Sequence, residues 1–190
     1  MWFIIRHGET LHNVKRIVQG HCQSLLTLKG IDQIKSVGYR LQNTNEDFKN
    51  YKLITSPMIR TRNTTQILQE ILGLTNVKYI EEDLIAEVDT GLATNMTEDE
   101  AKEKYSSFWN VNCYLDRKYP DGESNNQVYD RVLKFFDKYK NEKNLIIITH
   151  SGITRCFRNH ILGKKREEID LVLSNQNYFL AWNGNKLEIL

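Results

Sequence analysis

The sequence predicts an α/β fold of three layers, in which a mostly parallel central sheet carries helices on both faces. Three observations point there. Short apolar runs rich in β-branched residues alternate with stretches of helical spacing, and the first and last of the four principal runs look buried on both faces. No Gly/Ser-rich linker, repeat or composition shift divides the 190 residues, so a single domain is expected.

Taken in order, Trp2 to Ile5 reads as the first strand and Leu28 to Gln42 as the first long helix. Lys52 to Thr55 is a second strand bounded by polar residues, and Ile59 to Leu72 is the helix that follows it. Val77 to Ile80 reads as a third strand, with helical spacing resuming over Glu98 to Tyr105 and again over Val128 to Lys140. Leu145 to Thr149 is the fourth strand and leads into a helix over Ile153 to Leu162. Near the end, Asn177 to Trp182 and Lys186 to Ile189 flank Asn183-Gly184, a dipeptide suited to the positive φ angles of a tight turn, so a hairpin or pair of edge strands is expected there.

Composition excludes several classes of function. Lys plus Arg (26) against Asp plus Glu (24) leaves a formal charge of +2, too balanced for nucleic acid or a membrane surface to be the main partner. Cys22, Cys113 and Cys156 are scattered, without the spacing of a zinc site or a redox pair, and read as reduced, mostly structural thiols. The apolar run before Arg6 is too short for a signal sequence, and no later run approaches the roughly 20 apolar residues of a membrane span. A cytoplasmic location is the expectation, and a homodimer is compatible with the sequence.

The polar residues that matter stand directly after the strands. Arg6-His7-Gly8 follows the first, Ser56-Pro57 to Arg60 the second, Glu87 the third after a short connection, and His150-Ser151-Gly152 the fourth. Ligands of open α/β sheets collect at the carboxyl ends of the strands, so these segments are predicted to converge although they are far apart in sequence. Two guanidiniums suit the oxygens of a phosphoryl group, and the chain entering a helix after Gly152 can add backbone N–H donors. A neutral imidazole can attack phosphorus in line if its other ring nitrogen is held as a donor, so one of His7 and His150 can be a covalent carrier. Glu87 is the candidate acid and base for the leaving alkoxide and the attacking water.

These residues fall into blocks with a family resemblance. Arg6-His7-Gly8-Glu9-Thr10, with Asn13 and then Gln19-Gly20, resembles the opening signature of the histidine phosphatase superfamily, which includes the phosphoglycerate mutases. Leu26-Thr27 with Gly30 and Gln33 resembles the start of that family's first helix, and Ser56-Pro57-Met58-Ile59-Arg60-Thr61 its second arginine segment. Glu87 to Gly91, Pro120 to Ser124 with Val128 and Arg131, and Thr149-His150-Ser151-Gly152 with Arg155 resemble the remaining blocks, in the family's order. The resemblance covers nearly the whole chain. It implies a phosphoglycerate mutase-like fold and one catalytic domain over residues 1–190. It makes His7 the phosphorylated residue and gives Arg6, Asn13, Arg60 and His150 to the phosphate pocket, with Gln19, Gly20 and Ser151 beside it. It implies neither a metal nor an organic cofactor. One branch has an acidic residue directly after the second histidine; Ser151 stands there in this chain, which makes Glu87 the proton donor, as in the other branch. A departure follows Glu87: Gly91 is kept, but Ala93-Thr94-Asn95 replaces the Trp-Glu-Gly of many members.

The bland alternatives are specific. Arg62 competes with Arg60, and a solvated arginine is the ordinary occupant of a first helical turn. His12 and His160 carry no functional signal, and His21 either borders the pocket or lies on the surface. Glu81, Glu82 and Asp83 read as an exposed acidic loop. Tyr105, Phe108, Trp109 and Tyr114 either roof the pocket or form a satellite core.

Three functions are compatible with the sequence. The leading one is a phosphatase acting on a small phosphorylated substrate through His7. The second is a phosphoglycerate mutase, which needs cations for a second phosphate. Where the mutases carry an Asn-Lys pair and a Trp-Arg-Arg stretch, this chain has Thr94-Asn95-Met96-Thr97 and Trp109-Asn110-Val111-Asn112, which leaves Lys102, Lys104, Arg117 and Lys118 between Glu87 and Pro120. The third is a binding module that keeps the phosphate pocket and has lost efficient catalysis.

Overall fold

A computed structural model describes residues 1–109, 114–169 and 179–190, with the side chains of Phe108 and Trp109 also outside the description. Its strands are β1 (Trp2–Arg6), β2 (Lys52–Thr55), β3 (Tyr79–Glu81), β4 (Leu145–Thr149), β5 (Phe179–Trp182) and β6 (Leu187–Ile189), arranged β3-β2-β4-β1-β5-β6. Parallel pairing joins β3 to β2, β2 to β4 and β4 to β1, whereas β5 pairs antiparallel with β1, and β6 with β5. The sheet is therefore mostly parallel, with an antiparallel edge.

Alternation along each strand decides what each layer buries. Trp2, Ile4, Leu145 and Ile147 point into one core with α6 (Asn125–Tyr139) and α7 (Ser151–Ile161). Phe3, Ile5, Ile146 and Ile148 point into the other, against α2 (Leu28–Gln42) and α3 (Ile59–Leu72). Every residue of β4 is buried, as a central strand covered on both faces requires. Each fully buried Ile, Leu or Phe contributes roughly 1.5–3 kcal/mol relative to exposure.

The helix boundaries follow from their caps. Thr27 accepts from the Gly30 N–H at the start of α2. Helix α6 begins at Asn125, ahead of the expected Val128, because Ser124 and Gln127 close a reciprocal capping box. Helix α7 begins at Ser151, ahead of the expected Ile153, because His150 occupies the cap position with an extended backbone (φ −122°, ψ 165°). Gly73, in the left-handed region at φ 68°, ends α3.

The third strand runs over Tyr79–Glu81 and not Val77 to Ile80, since the Val77 N–H turns back to the Leu74 carbonyl. Between it and α6 lie α4 (Glu98–Lys104), one residue shorter than expected, and α5 (Ser106–Trp109). The terminal hairpin forms around Asn183-Gly184, with Gly184 at φ 95°; its expected residues before Phe179 lie outside the described residues. One acidic residue departs from expectation: Glu82 is buried and accepts from the Tyr139 hydroxyl at 2.8 Å, so the acidic run is not uniformly an exposed loop. Cys22 and Cys156 are unpaired thiols, burial pushes Cys156 up to about 12, and Cys113 lies outside the described residues. Among the described residues no helix is long and apolar enough to cross a membrane.

Candidate active site

Strand register builds the site. Ile5 faces Ile148 and Arg6 faces Thr149 across β1 and β4, while Thr55 faces Ile148 across β2 and β4. Two further ladder bonds run past the strand ends, His7 N–H to the Thr149 carbonyl and Ser56 N–H to the Ile148 carbonyl, both at 3.0 Å. The chain is thus still held in register where His7, Ser56 and His150 leave the sheet. Their convergence is that of a parallel sheet's carboxyl edge.

The two histidine rings stand 5.2 Å apart between centroids, at 63° to one another. His7 Nδ1 lies 2.7 Å from the Gly8 carbonyl oxygen. A carbonyl only accepts, so Nδ1 carries the proton and Nε2 keeps its lone pair. His150 is oriented from both sides. Arg60 Nε donates to its Nδ1 at 3.3 Å, which makes Nε2 the protonated nitrogen and a donor to Ser56 Oγ at 2.7 Å. Burial, and then the charges of Arg60 and Arg6, hold the His7 imidazolium well below the ordinary histidine value. Burial followed by Arg60 does the same to His150. Both rings are neutral near pH 7.

Arg60 is fully buried on α3 and its guanidinium is fixed by the Gly20 carbonyl at 2.8 Å and the Cys22 carbonyl at 3.0 Å. Arg62 instead sits at the surface facing Glu81 at 3.5 Å. The Arg6 charge bears on both imidazoles. Asn13, in α1 (Leu11–Val14), accepts from the Thr10 N–H at 3.0 Å through its side-chain oxygen, so the NH2 end of its amide is the part suited to an anion. Gln19 accepts from the Thr10 hydroxyl at 3.1 Å, and Gly20 turns its carbonyl to Arg60. Ser151 opens α7, whose cap position supplies no side-chain acceptor, leaving the first-turn N–H groups as donors at the same edge.

Glu87 approaches His150 from the wall of the site, its Oε2 3.7 Å from His150 Nδ1. Its Oε1 accepts from the Val88 N–H at 3.0 Å. The hollow beside it has a volume of about 220 Å³ and is lined by Gln19, Gly20, Thr90, Tyr114, Tyr119 and Arg155, among others. Burial raises both tyrosines above their ordinary value. A larger hollow of about 430 Å³, at the amino ends of β1 and β4, carries none of these groups.

Several residues named in the sequence without a structural role hold the site in place. Arg131, on α6, binds Glu123 through two 2.8 Å contacts and donates to the carbonyls of Leu84 (3.0 Å), Ala86 (3.1 Å) and Glu87 (3.2 Å). His21 is exposed, and its Nε2 lies 2.7 Å from the Glu87 carbonyl, so it is a surface residue bonded to the backbone of the site's wall. Gly91, at φ 47°, and Gly122 bring the two loops together, for a Cβ on Gly122 would fall 2.3 Å from the Asp89 carbonyl oxygen. A Cβ on Gly91 would fall 2.0 Å from the Pro120 carbonyl oxygen, so the close approach of the two loops requires glycine there even though Ala93-Thr94-Asn95 departs from the family pattern. The aromatic group divides: Tyr105 packs on a small core of Val18, Ala93 and Ala101, while Tyr114 lines the hollow. Phe108 and Trp109 fall outside the described side chains. Among the described residues, no three His, Cys, Asp or Glu side chains gather as a metal-binding group.

The model of the histidine phosphatase superfamily (branch 1) matches residues 2–180. A Citrobacter koseri protein named "Probable phosphoglycerate mutase GpmB" is 28% identical over 166 residues, covering 85% of this chain and 74% of its own length. Human 6-phosphofructo-2-kinase/fructose-2,6-bisphosphatase 4 is 27% identical over 170 residues, which are 88% of this chain but 34% of that protein, so the chain spans about a third of the bifunctional relative. The α-ribazole phosphatase of Shigella flexneri superposes with a TM-score of 0.83 at 20% identity, covering 100% of this chain and 94% of that one. For the phosphoglycerate mutase of Bacillus anthracis the TM-score is 0.77 at 15% identity, over 100% and 90%. At such identities these two structures establish the fold, which is phosphoglycerate mutase-like.

Proposed function

The chain belongs to branch 1 of the histidine phosphatase superfamily, an enzyme family of phosphatases and mutases, and from that premise we propose that it hydrolyses a small phosphomonoester through a phosphohistidine on His7. The observation that carries this reading is the His7 ring: buried, neutral, and with Nδ1 tied to the Gly8 carbonyl so that Nε2 is nucleophilic. Nε2 attacks phosphorus in line, and the N–P bond forms as the ester P–O bond breaks. Glu87 gives its proton to the departing alkoxide. Water then attacks phosphorus, surrenders a proton to the Glu87 carboxylate and releases phosphate, restoring the ring. Arg6 and Arg60 hold the phosphoryl oxygens, with Asn13, Gln19 and the backbone at Gly20 and Ser151 completing the cradle and His150 orienting the Arg60 guanidinium within it. Guanidiniums supply the positive charge, so the steps need no metal or organic cofactor.

Replacing His7 by Ala is expected to abolish both turnover and acid-labile phosphate labelling of the protein, and a chelator is expected to leave the wild type unaffected. Persisting turnover in H7A would refute the reading.

The named mutase relative favours a second reading, transfer to another hydroxyl. Against it, none of Lys102, Lys104, Arg117 and Lys118 is among the described residues lining the hollow, whereas Arg155 is. Release of free phosphate from a phosphoglycerate, measured against its isomerisation, separates the two. Unpaired Cys22 and Cys156 accord with a cytoplasmic site of action.

A further inference from the structure

The acid-base carboxylate stands on a segment with little regular structure. Residues 82–91 contain two 3-10 turns, Asp83–Ile85 and the start of Gly91–Ala93, so the Glu87 backbone belongs to no strand or helix, although its carboxylate reaches the first turn of α7 beside Gly152. What fixes it is Arg131. One guanidinium holds the carbonyls of Leu84, Ala86 and Glu87, and its bound carboxylate, Glu123 Oε2, accepts the Asp89 N–H at 3.0 Å. The Glu123 N–H returns to the Asp89 carbonyl at 2.8 Å.

The consequence is local and directional. The peptide unit joining Glu87 to Val88 is pinned at its oxygen by Arg131 and His21. Its N–H meets the Glu87 carboxylate, which is thereby turned with Oε2 toward His150. The side chains of Arg131 and Glu123 are 17% and 22% exposed, so the pair is shielded from competing water and counter-ions. Burial pushes the Glu123 carboxyl up, but hydrogen bonds from Arg131 and the Asp89 N–H outweigh it and keep the group ionised.

We infer that Arg131, braced by Glu123, is the positioning residue for proton transfer: it touches neither phosphorus nor leaving group, and acts by fixing the 84–89 backbone from which Glu87 reaches the reacting oxygen. This rests on the reading of Glu87 as acid and base. A neutral amide or an ammonium in its place cannot hold three carbonyls and a bidentate carboxylate together.

The test is a leaving-group series: phenyl, 4-nitrophenyl and 2,4-dinitrophenyl phosphate, with kcat/KM measured for wild type, R131Q, R131K, E123Q and E87Q. Phenolate needs its proton more than dinitrophenolate does, so loss of a placed acid steepens the dependence on leaving-group basicity. R131Q is expected to lose about 10- to 100-fold more on phenyl than on dinitrophenyl phosphate, a part of the ~10²–10⁴ that general acid catalysis supplies. R131K and E123Q should be intermediate, and inhibition by inorganic phosphate should stay within about twofold of wild type. Equal losses on all three esters, or none, in R131Q overturn the inference. E123Q serves the same test if R131Q does not fold. If E87Q shows no steepening, the acid-base role and the inference fall together; if E87Q steepens and neither clamp variant does, only the inference falls.

Discussion

The floor and the wall of the site are built differently. His7, Arg60 and His150 form a floor that is at most 2% exposed, anchored by ladder bonds at the ends of β1, β2 and β4 and by the first turns of α3 and α7. The wall, with Glu87, Thr90, Tyr114 and Tyr119, stands on turns joined by side-chain to backbone bonds from Arg131 and Glu123. A phosphoryl group has one shape in every ester and suits a rigid floor. Leaving groups vary, and loops on a rigid scaffold are where variation is tolerated.

That division breaks most readily at Arg60. Replacing it by Met should lower kcat/KM on the order of 10³-fold, since a guanidinium facing the phosphoryl charge is lost. The loss should be uniform across esters, and a strongly ester-dependent loss would erase the distinction between floor and wall. Ser56→Ala probes the floor more gently. His150 Nε2 loses its buried acceptor, which should lower stability by about 1–3 kcal/mol in denaturant titrations and lower turnover without altering the order of preferred substrates.

A third test uses pH. Burial lowers both imidazoles from 6.5, so as pH falls below 6.5 the unfolded chain takes up protons that the native state refuses. Melting temperature should therefore decline from about pH 7 to about pH 5, and His7→Gln should make the decline shallower. The wall tyrosines are shifted upward and stay protonated throughout that window, so Tyr114→Phe should leave the slope unchanged. The smallest effect is expected from the same Y114F variant in kinetics: KM changes of less than about 10-fold, differing between esters, with unaltered inhibition by phosphate.

The floor was legible in the sequence because His7 and His150 stand at the ends of apolar runs and Arg60 in the first turn of the helix that follows another, and a parallel sheet brings such positions to one edge. Leu145 to Thr149 could be read as a strand for the same reason that it is central: nothing polar interrupts it. The wall was not legible in this way. Arg131 stands in one of the family-like blocks, but its pairing with the carbonyls of Leu84 and Ala86 is a contact with backbone atoms, which no side-chain pattern announces. Glu82 was misread because its partners, Lys138 and Tyr139, lie on α6, far along the chain. The starts of α6 and α7 were placed late because apolar spacing begins after the cap, and the caps are Ser124 and His150 themselves.

Strand order bears on how the molecule assembles. β4, the strand between β1 and β2, is contributed by residues 145–149, long after both neighbours have been made. Until it slides into the gap, β1 and β2 have no bonds to each other, and Arg60 has no imidazole to orient. Pairings this distant in sequence are slow to find, because closing the intervening loop costs entropy before any contact is gained. Recovery of secondary structure should therefore run ahead of recovery of activity on refolding, with the two converging only at the insertion step.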